Sequence, residues 1–185
     1  MALLETPAPD LGALAPDFSL KDAAGRTVTR DAAKGPNGLV VGFICNHCPY
    51  VKAIAGALGA DIEALKAEGV GVALIMPNDY VSHPDDAPAK MAAFAKAHGL
   101  DAPYLVDETQ AVARAYGAVC TPDFFGFDTA LRLVYRGRLN ATTPRRPPAK
   151  NDARELVAAM TAVARGKGAP KDQLASMGCS IKWRG

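Results

Sequence analysis

The chain has 185 residues, of which 49% are hydrophobic and 22% are charged, and its formal net charge is +2. This composition is typical of a globular protein and argues against a disordered chain. The small net charge argues against strong electrostatic attraction to nucleic acid or to anionic lipid. We expect a single domain over residues 1–185, in which residues 1–14 form a lead-in and residues 167–185 form a tail that packs on the domain.

The N-terminal segment lacks the features of a secretory signal. It has no basic start, and Glu5 and Asp10 interrupt its apolar residues. No apolar run in the sequence approaches the length that crosses a membrane. We therefore expect a cytoplasmic protein without membrane or nucleic-acid partners. Cysteines stay mostly reduced in that compartment, so a Cys-x-x-Cys pair there is more typical of catalysis or metal binding than of a structural disulfide.

Strand and helix patterns alternate along the first half of the chain. A β-hairpin is predicted where Phe18 and Leu20 alternate with polar residues, followed by the turn "AAGR" and the short strand "TVTR". Two continuous apolar runs, residues 38–45 and 70–77, predict strands that are buried on both faces. Between them, apolar residues recur at helical spacing over 51–65, where two glycines make a bend possible.

The second half continues this alternation. Helices are predicted over residues 89–99 and 109–117, with Thr109 as the N-cap of the second, and the short strand "YLVD" lies between them. The segments "DFFGFD" and "LRLVYRG" predict two strands around a turn, and a last helix follows over 151–166. This order predicts an α/β fold with a central mixed sheet that helices cover on both faces.

The segment "FICNHCPYV" places two cysteines where a buried strand ends and a helix begins. Unpaired N–H groups and the helix dipole at such a position stabilise a thiolate, which is the reactive form of cysteine. We expect Cys45 to be the exposed nucleophile and Cys48, one turn further into the helix, to resolve the mixed disulfide. A protonated His47 would lower the pKa of the Cys45 thiol further.

Other interpretations of the cysteines remain open. The pair could be half of a zinc site, although zinc usually takes a second closely spaced pair, which Cys120 and Cys179 do not form. Cys120 could be a redox thiol or a metal ligand, but free cysteines are mostly buried, and we expect burial here. Cys179 is either a resolving thiol or a tail cysteine that packs on the domain. No residue indicates a bound cofactor.

The dipeptide Thr121-Pro122, together with the cysteine pair upstream, resembles the thioredoxin superfamily over roughly residues 15–166. The segments "APDFSL" and "VDETQAVARAYGAVCTPDFFGFD" resemble its peroxiredoxin-like branch. "CNHCPYV" and the tail "GCSIKW" resemble its redoxin-domain, or alkyl hydroperoxide reductase/thiol-specific antioxidant, proteins. The resemblance implies a thioredoxin-like fold with an added N-terminal hairpin. It also implies a cis-proline at Pro122 beside the cysteines and a Thr121 backbone that pairs with an extended substrate chain.

Two departures from related patterns bear on function. Typical peroxiredoxins carry Pro-x-x-x-Thr/Ser-x-x-Cys, and counting back from Cys45 puts Gly42 at the hydroxyl position and Gly38 at the proline position. This predicts weak peroxidase activity. Typical thioredoxins also bury an acid on the strand before the motif, and this strand has none. Asp107 is the nearest candidate by strand order.

The residues and the resemblance together predict a thiol–disulfide oxidoreductase. Its substrates would be protein or small-molecule disulfides, and its reductant an upstream thiol system such as thioredoxin or glutathione. The first alternative is a thiol peroxidase that reduces hydroperoxides through Cys45. The second is a metal-binding or chaperone protein without turnover, which would use Cys45, Cys48, His47 and Cys120.

Overall fold

The computed structural model describes residues 2–185 and is built around a seven-stranded mixed sheet. The strands of the chain are β1 Leu3–Glu5, β2 Ser19–Asp22, β3 Thr27–Thr29, β4 Leu39–Phe43, β5 Gly71–Met76, β6 Tyr104–Val106, β7 Cys120–Thr121, β8 Asp123–Phe127, β9 Leu133–Gly137 and β10 Met177–Ser180. The helices are α1 Arg30–Ala33, α2 Pro49–Ala67, α3 Pro88–His98, α4 Ala111–Tyr116 and α5 Glu155–Ala164, with a 3-10 turn at Pro84–Asp86. The strand order of the main sheet is β3-β2-β6-β5-β4-β8-β9.

The centre of this sheet is β4, which pairs in parallel with β5 and antiparallel with β8. All five residues of β4 are buried, as the continuous apolar run predicts. Val40 belongs to the apolar cluster that contains α2, α3 and α5, whereas Val41 and Phe43 belong to the cluster that contains α4. Helices therefore cover both faces of the sheet, which confirms the predicted α/β class.

The predicted hairpin is β2–β3, with Leu20 opposite Val28, and it forms one edge of the main sheet. Helix α2 follows β4 and is uninterrupted over its 19 residues. Its interior Gly59 is required by packing, because a Cβ atom there would lie 2.4 Å from the carbonyl oxygen of His98 at the end of α3. The close contact between α2 and α3 therefore accounts for one of the two interior glycines.

The predicted N-cap of α4 is wrong. Helix α4 begins at Ala111, and its N-cap is Gln110, which has a left-handed backbone with φ of 61°. The carboxylate of Asp107 accepts a hydrogen bond of 2.7 Å from the backbone N–H of Ala113. Asp107, directly after β6, therefore binds N–H groups in the first turn of this helix, while the Thr109 hydroxyl accepts a longer hydrogen bond of 3.4 Å from the backbone N–H of Ala111.

A second sheet, which the sequence patterns do not predict, joins the two ends of the chain. It has the order β1-β10-β7, and both pairings are antiparallel. Leu3 lies opposite Cys179 on one side of β10, and Thr121 lies opposite Cys179 on the other. The tail therefore packs on the rest of the chain through strand pairing. No helix in residues 2–185 is both long enough and apolar enough to cross a membrane.

Candidate active site

The two cysteines of the motif lie in the connection between β4 and α2. Strand β4 ends at Phe43, and the helix begins at Pro49, so Cys48 is its N-cap residue. The Cys48 side chain makes no capping hydrogen bond to the helix. The sequence predicts that Cys48 lies one turn inside the helix and that Cys45 lies at its start. In the structure, the stabilising effect of the helix terminus acts on Cys48.

Both thiols are reduced and completely buried. The Sγ atom of Cys45 lies 3.3 Å from the hydroxyl oxygen of Thr121, and Cys48 Sγ lies 3.2 Å from the carbonyl oxygen of the same residue. The peptide bond between Thr121 and Pro122 is cis, the isomer that the resemblance implies. The structure thus brings these four predicted residues together, but the expected exposure of Cys45 is wrong.

His47 does not act on Cys45 as a free positive charge. Its Nδ1 atom lies 2.6 Å from a carboxylate oxygen of Asp86 and 3.9 Å from the Cys45 sulphur. Asp86 is fully buried in the 3-10 turn, and it also accepts hydrogen bonds from the backbone N–H groups of Asn46 and His47 and from the side chain of Asn78. Any positive charge on His47 is therefore compensated by the adjacent carboxylate.

The residues that fix the loop between β4 and α2 were not predicted from the sequence. The buried acid of the site is Asp86, whereas the expected candidate, Asp107, caps α4. Asn78, which follows β5, donates to Asp86, and the hydroxyl of Tyr104, the first residue of β6, donates to the side-chain oxygen of Asn46 at 3.0 Å. Only Asn78 carried a signal in the sequence, because a polar residue directly after a buried parallel strand lies at the edge of the sheet where such strands end.

The pKa values of the two thiols shift in opposite directions. The hydrogen bond with Cys48, burial and the negative charge of Asp86 raise the pKa of Cys45 well above its usual value. The hydrogen bond from Cys45, together with contacts from Cys179 and the N–H of Val51, lowers the pKa of Cys48 to about 5. The reduced pair therefore holds one negative charge, which in this arrangement rests on Cys48.

The other two cysteines differ in their surroundings. Cys120 is buried, as expected, and its thiol lies 3.6 Å from the carbonyl oxygen of Pro122, while burial raises its pKa. Cys179 lies opposite Thr121 in the second sheet and belongs to the same cluster of buried side chains as Cys48. Burial and the neighbouring Cys48 thiol raise the pKa of Cys179 to about 12. Of these two cysteines, Cys179 is thus the candidate for a third member of the Cys45–Cys48 site.

A group of possible metal ligands also lies here. Ligand atoms of Cys45, His47 and Asp86 all lie within 4.8 Å of one another. Within residues 2–185 this group does not include Cys48 or Cys120, which the metal-binding alternative also requires. Both oxygens of Asp86 already accept protein hydrogen bonds, so metal binding would require these bonds to break.

Comparisons with known proteins agree with this geometry. The AhpC/TSA family matches residues 11–136. An uncharacterized conserved protein from Geobacillus kaustophilus is 39% identical, with a TM-score of 0.93 over 100% of this chain and 97% of that chain. Peroxidoxin BcpB from Mycobacterium tuberculosis is 17% identical, with a TM-score of 0.61 over 84% of this chain and 96% of that chain.

The thioredoxin domain of a thiol-disulfide oxidoreductase from Bacteroides vulgatus is 17% identical, with a TM-score of 0.58 over 70% of this chain and 89% of that chain. At this identity the likeness concerns the fold alone. The comparison with curated proteins gave no significant match. The family match covers well over half of the chain and agrees with the observed fold. The chain therefore belongs to the AhpC/TSA family and is a redoxin-type member of the thioredoxin superfamily.

Proposed function

We propose that this protein is a thiol–disulfide oxidoreductase whose redox pair is Cys45 and Cys48. The observation that carries the proposal is that, at the start of α2, both free thiols reach the same residue: Cys45 Sγ lies 3.3 Å from the Thr121 hydroxyl and Cys48 Sγ lies 3.2 Å from the Thr121 carbonyl oxygen. Two thiols held this close can form a disulfide with little movement, and a helix N-terminus favours the thiolate that disulfide exchange needs.

The surroundings of the pair supply partners for a negative charge on either sulphur. A charge on Cys48 lies at the start of α2, where the helix dipole and the unpaired N–H groups stabilise it. A charge on Cys45 receives the hydroxyl of Thr121, while a protonated Cys48 donates to the carbonyl oxygen of Thr121. Moving one proton from Cys45 to Cys48 therefore converts the first arrangement into the second.

This proton transfer permits the order of reaction expected from the sequence. The Cys45 thiolate attacks a substrate disulfide, and one sulphur of the substrate leaves as a thiolate. Cys48 then attacks the Cys45 sulphur of the mixed disulfide, forms the Cys45–Cys48 disulfide and releases the second sulphur. Because both thiols are completely buried, the site must open locally before a substrate reaches Cys45. An external thiol system returns the protein to its reduced form.

Asp86 and His47 act in this proposal as positioning residues. The carboxylate of Asp86 binds two successive backbone N–H groups of the loop between the cysteines and so fixes its conformation. Its negative charge also opposes a thiolate on Cys45, which limits the reactivity of the resting site. Substrate binding that changes this contact would favour attack by Cys45.

A thiol peroxidase is the second candidate, because the chain belongs to the AhpC/TSA family. The surroundings of Gly42 argue against it. A Cβ atom at Gly42 would lie 3.0 Å from the Phe124 ring and 3.1 Å from the Leu74 side chain. The Phe124 and Leu74 side chains would have to move by a few tenths of an ångström to admit the hydroxyl residue that peroxiredoxins carry at this position.

The test measures reduction of a small aromatic disulfide by an external thiol in the presence of the wild type, Cys45→Ser and Cys120→Ser. We expect turnover by the wild type, loss in Cys45→Ser and no change in Cys120→Ser, because the Cys120 thiol lies outside the pair. Equal turnover by Cys45→Ser and the wild type would refute the proposal. Hydroperoxide consumption with the same thiol donor tests the peroxidase alternative. Metal analysis of protein purified without chelator tests the metal-binding alternative.

A further inference from the structure

Strand β10 covers the cysteine pair with residues of the same chain. It pairs with β7 so that Cys179 lies opposite Thr121 and Ser180 opposite Cys120. The approach is unusually close at Gly178, where a Cβ atom would lie 2.0 Å from the carbonyl oxygen of Thr121. Only glycine therefore allows this pairing. The backbone edge of Thr121, which the resemblance assigns to a substrate chain, is occupied by β10.

Hydrogen bonds on both sides hold β10 in place. At its start, the buried Ser176 donates from its hydroxyl to the carbonyl oxygen of Pro122 at 2.7 Å, and its backbone N–H donates to the Thr6 hydroxyl at 3.0 Å. After its end, the backbone N–H of Lys182 donates to the side chain of Asn78 at 2.9 Å. These contacts fix the position of Cys179 relative to the site.

The fixed position puts Cys179 near Cys48. Cys179 lies opposite Thr121, and the carbonyl oxygen of Thr121 accepts a hydrogen bond of 3.2 Å from the Cys48 thiol. Cys45, Cys48 and Cys179 belong to one cluster of buried side chains. Cys179 retains 5% exposure, whereas Cys45 and Cys48 retain none. Cys179 is thus the least buried of the three residues.

We propose that Cys179 is a third redox thiol that exchanges with the Cys45–Cys48 disulfide at the Cys48 sulphur. The inference rests on the proposed function, which supplies that disulfide. The Cys179 sulphur loses its proton as it forms a bond to Cys48 Sγ, the Cys45–Cys48 bond breaks, and its electron pair leaves on Cys45. The proton lost by Cys179 is taken up by Cys45. The products are a Cys48–Cys179 disulfide and a free Cys45 thiol, with no net oxidation or reduction.

This exchange has two consequences. It returns Cys45 to the thiol form while the oxidising equivalent moves to the more exposed Cys179, where an external thiol can attack. It also links β10 covalently to the start of α2. An extended polypeptide then cannot pair with the backbone of Thr121, so small disulfides are the substrates that fit the covered site.

The decisive experiment maps disulfides in Cys45→Ser after treatment with oxidised glutathione. The Cys48 thiolate forms a mixed disulfide with glutathione, and Cys179 then displaces glutathione. We expect Cys48–Cys179 to be the main protein disulfide, and we expect the same product in Cys45→Ala. The double variant Cys45→Ser/Cys120→Ser, the control for the other buried thiol, should give it equally. Cooperative urea unfolding of each variant shows that it is folded.

A Cys48–glutathione disulfide that persists in both folded Cys45 variants would overturn the inference. Failure of the proposed function is distinguishable, because it appears as loss of disulfide turnover in the wild type. A Cys48–Cys179 disulfide without such turnover would support the contact and refute only the proposed activity. Turnover without that disulfide would support the oxidoreductase and refute the role of Cys179.

Discussion

Replacing Asp86 by alanine should destabilise the protein more than any surface substitution in the same loop. The carboxylate is completely buried and accepts four hydrogen bonds, from the N–H groups of Asn46 and His47, the His47 ring and the Asn78 amide. In Asp86→Ala these donors lose their acceptor in a site with little access to water. The loop that carries both cysteines would then lose its main support.

The size of the effect follows from these contacts. A hydrogen bond to a charged group contributes about 1.5–3 kcal/mol, so four give an upper limit of about 6–12 kcal/mol. The loop can relax and admit water, which lowers this sum. Removing one partner of a buried ion pair costs about 3–5 kcal/mol, and we expect a loss in this range for Asp86→Ala. That is a large share of the stability of a typical domain, about 5–15 kcal/mol.

Urea unfolding of the reduced protein at neutral pH measures this loss, with Asp85→Ala as the control. Asp85 is the adjacent residue, but its side chain is 74% exposed and pairs with Lys90, so its loss should cost less than about 1 kcal/mol. Similar losses in the two variants would refute the reasoning.

Asp86→Asn keeps the shape of the side chain and removes its charge, and it should lower the pKa of Cys45 and raise the reduction potential of the Cys45–Cys48 pair.

Three further predictions follow from the site. The pKa of Cys48 is lowered to about 5, so its thiolate stabilises the folded state at high pH. The free energy of unfolding of the reduced wild type, measured relative to Cys48→Ser, should therefore fall as the pH is lowered from about 9 to 5. Thiolate absorbance should show the same titration, and an absorbance midpoint near that of a free thiol would contradict it. Gly178→Ala should displace β10 from Thr121, lower the free energy of unfolding by about 1–3 kcal/mol and speed alkylation of Cys48. The control is Gly56→Ala, which lies in open space within α2 and should leave the stability unchanged or raise it. Equal alkylation rates would refute the covering role of β10. Gly42→Ser should destabilise the core without a gain in hydroperoxide turnover, and a gain would favour the peroxidase alternative.

Local patterns were sufficient to predict the strands of the main sheet and four of the helices, but not the short helix α1. The run from Gly38 to Cys45 is apolar on both strand faces, which only a covered central strand explains, and the structure has β4 there. The hairpin β2–β3 and helix α3, which ends at the left-handed Gly99, follow equally local signals. The position of the cysteine pair between β4 and α2 is a consequence of the same patterns.

Details at the ends of elements depended on contacts from elsewhere in the chain. The sequence cannot distinguish Asp85 from its neighbour Asp86, yet one is exposed and the other holds the cysteine loop. The N-cap of α4 is another case, because the carboxylate that satisfies the helix comes from the end of β6. Such choices depend on side chains that become neighbours only when the sheet has formed.

The sequence by itself determined the α/β architecture, the place of Cys45 and Cys48 after a buried strand, and the absence of a hydroxyl residue at position 42. Only the tertiary structure decided that both thiols are buried, that Cys48 is the N-cap, and that Cys179 joins their buried cluster opposite Thr121. The short strands β1, β7 and β10 have too few residues for a periodic pattern, and their partners lie far apart in the chain. Pairing between strands so far apart in the chain is stabilised only by the finished core. The same core provides the burial and the hydrogen-bond donors that set the charge of each thiol.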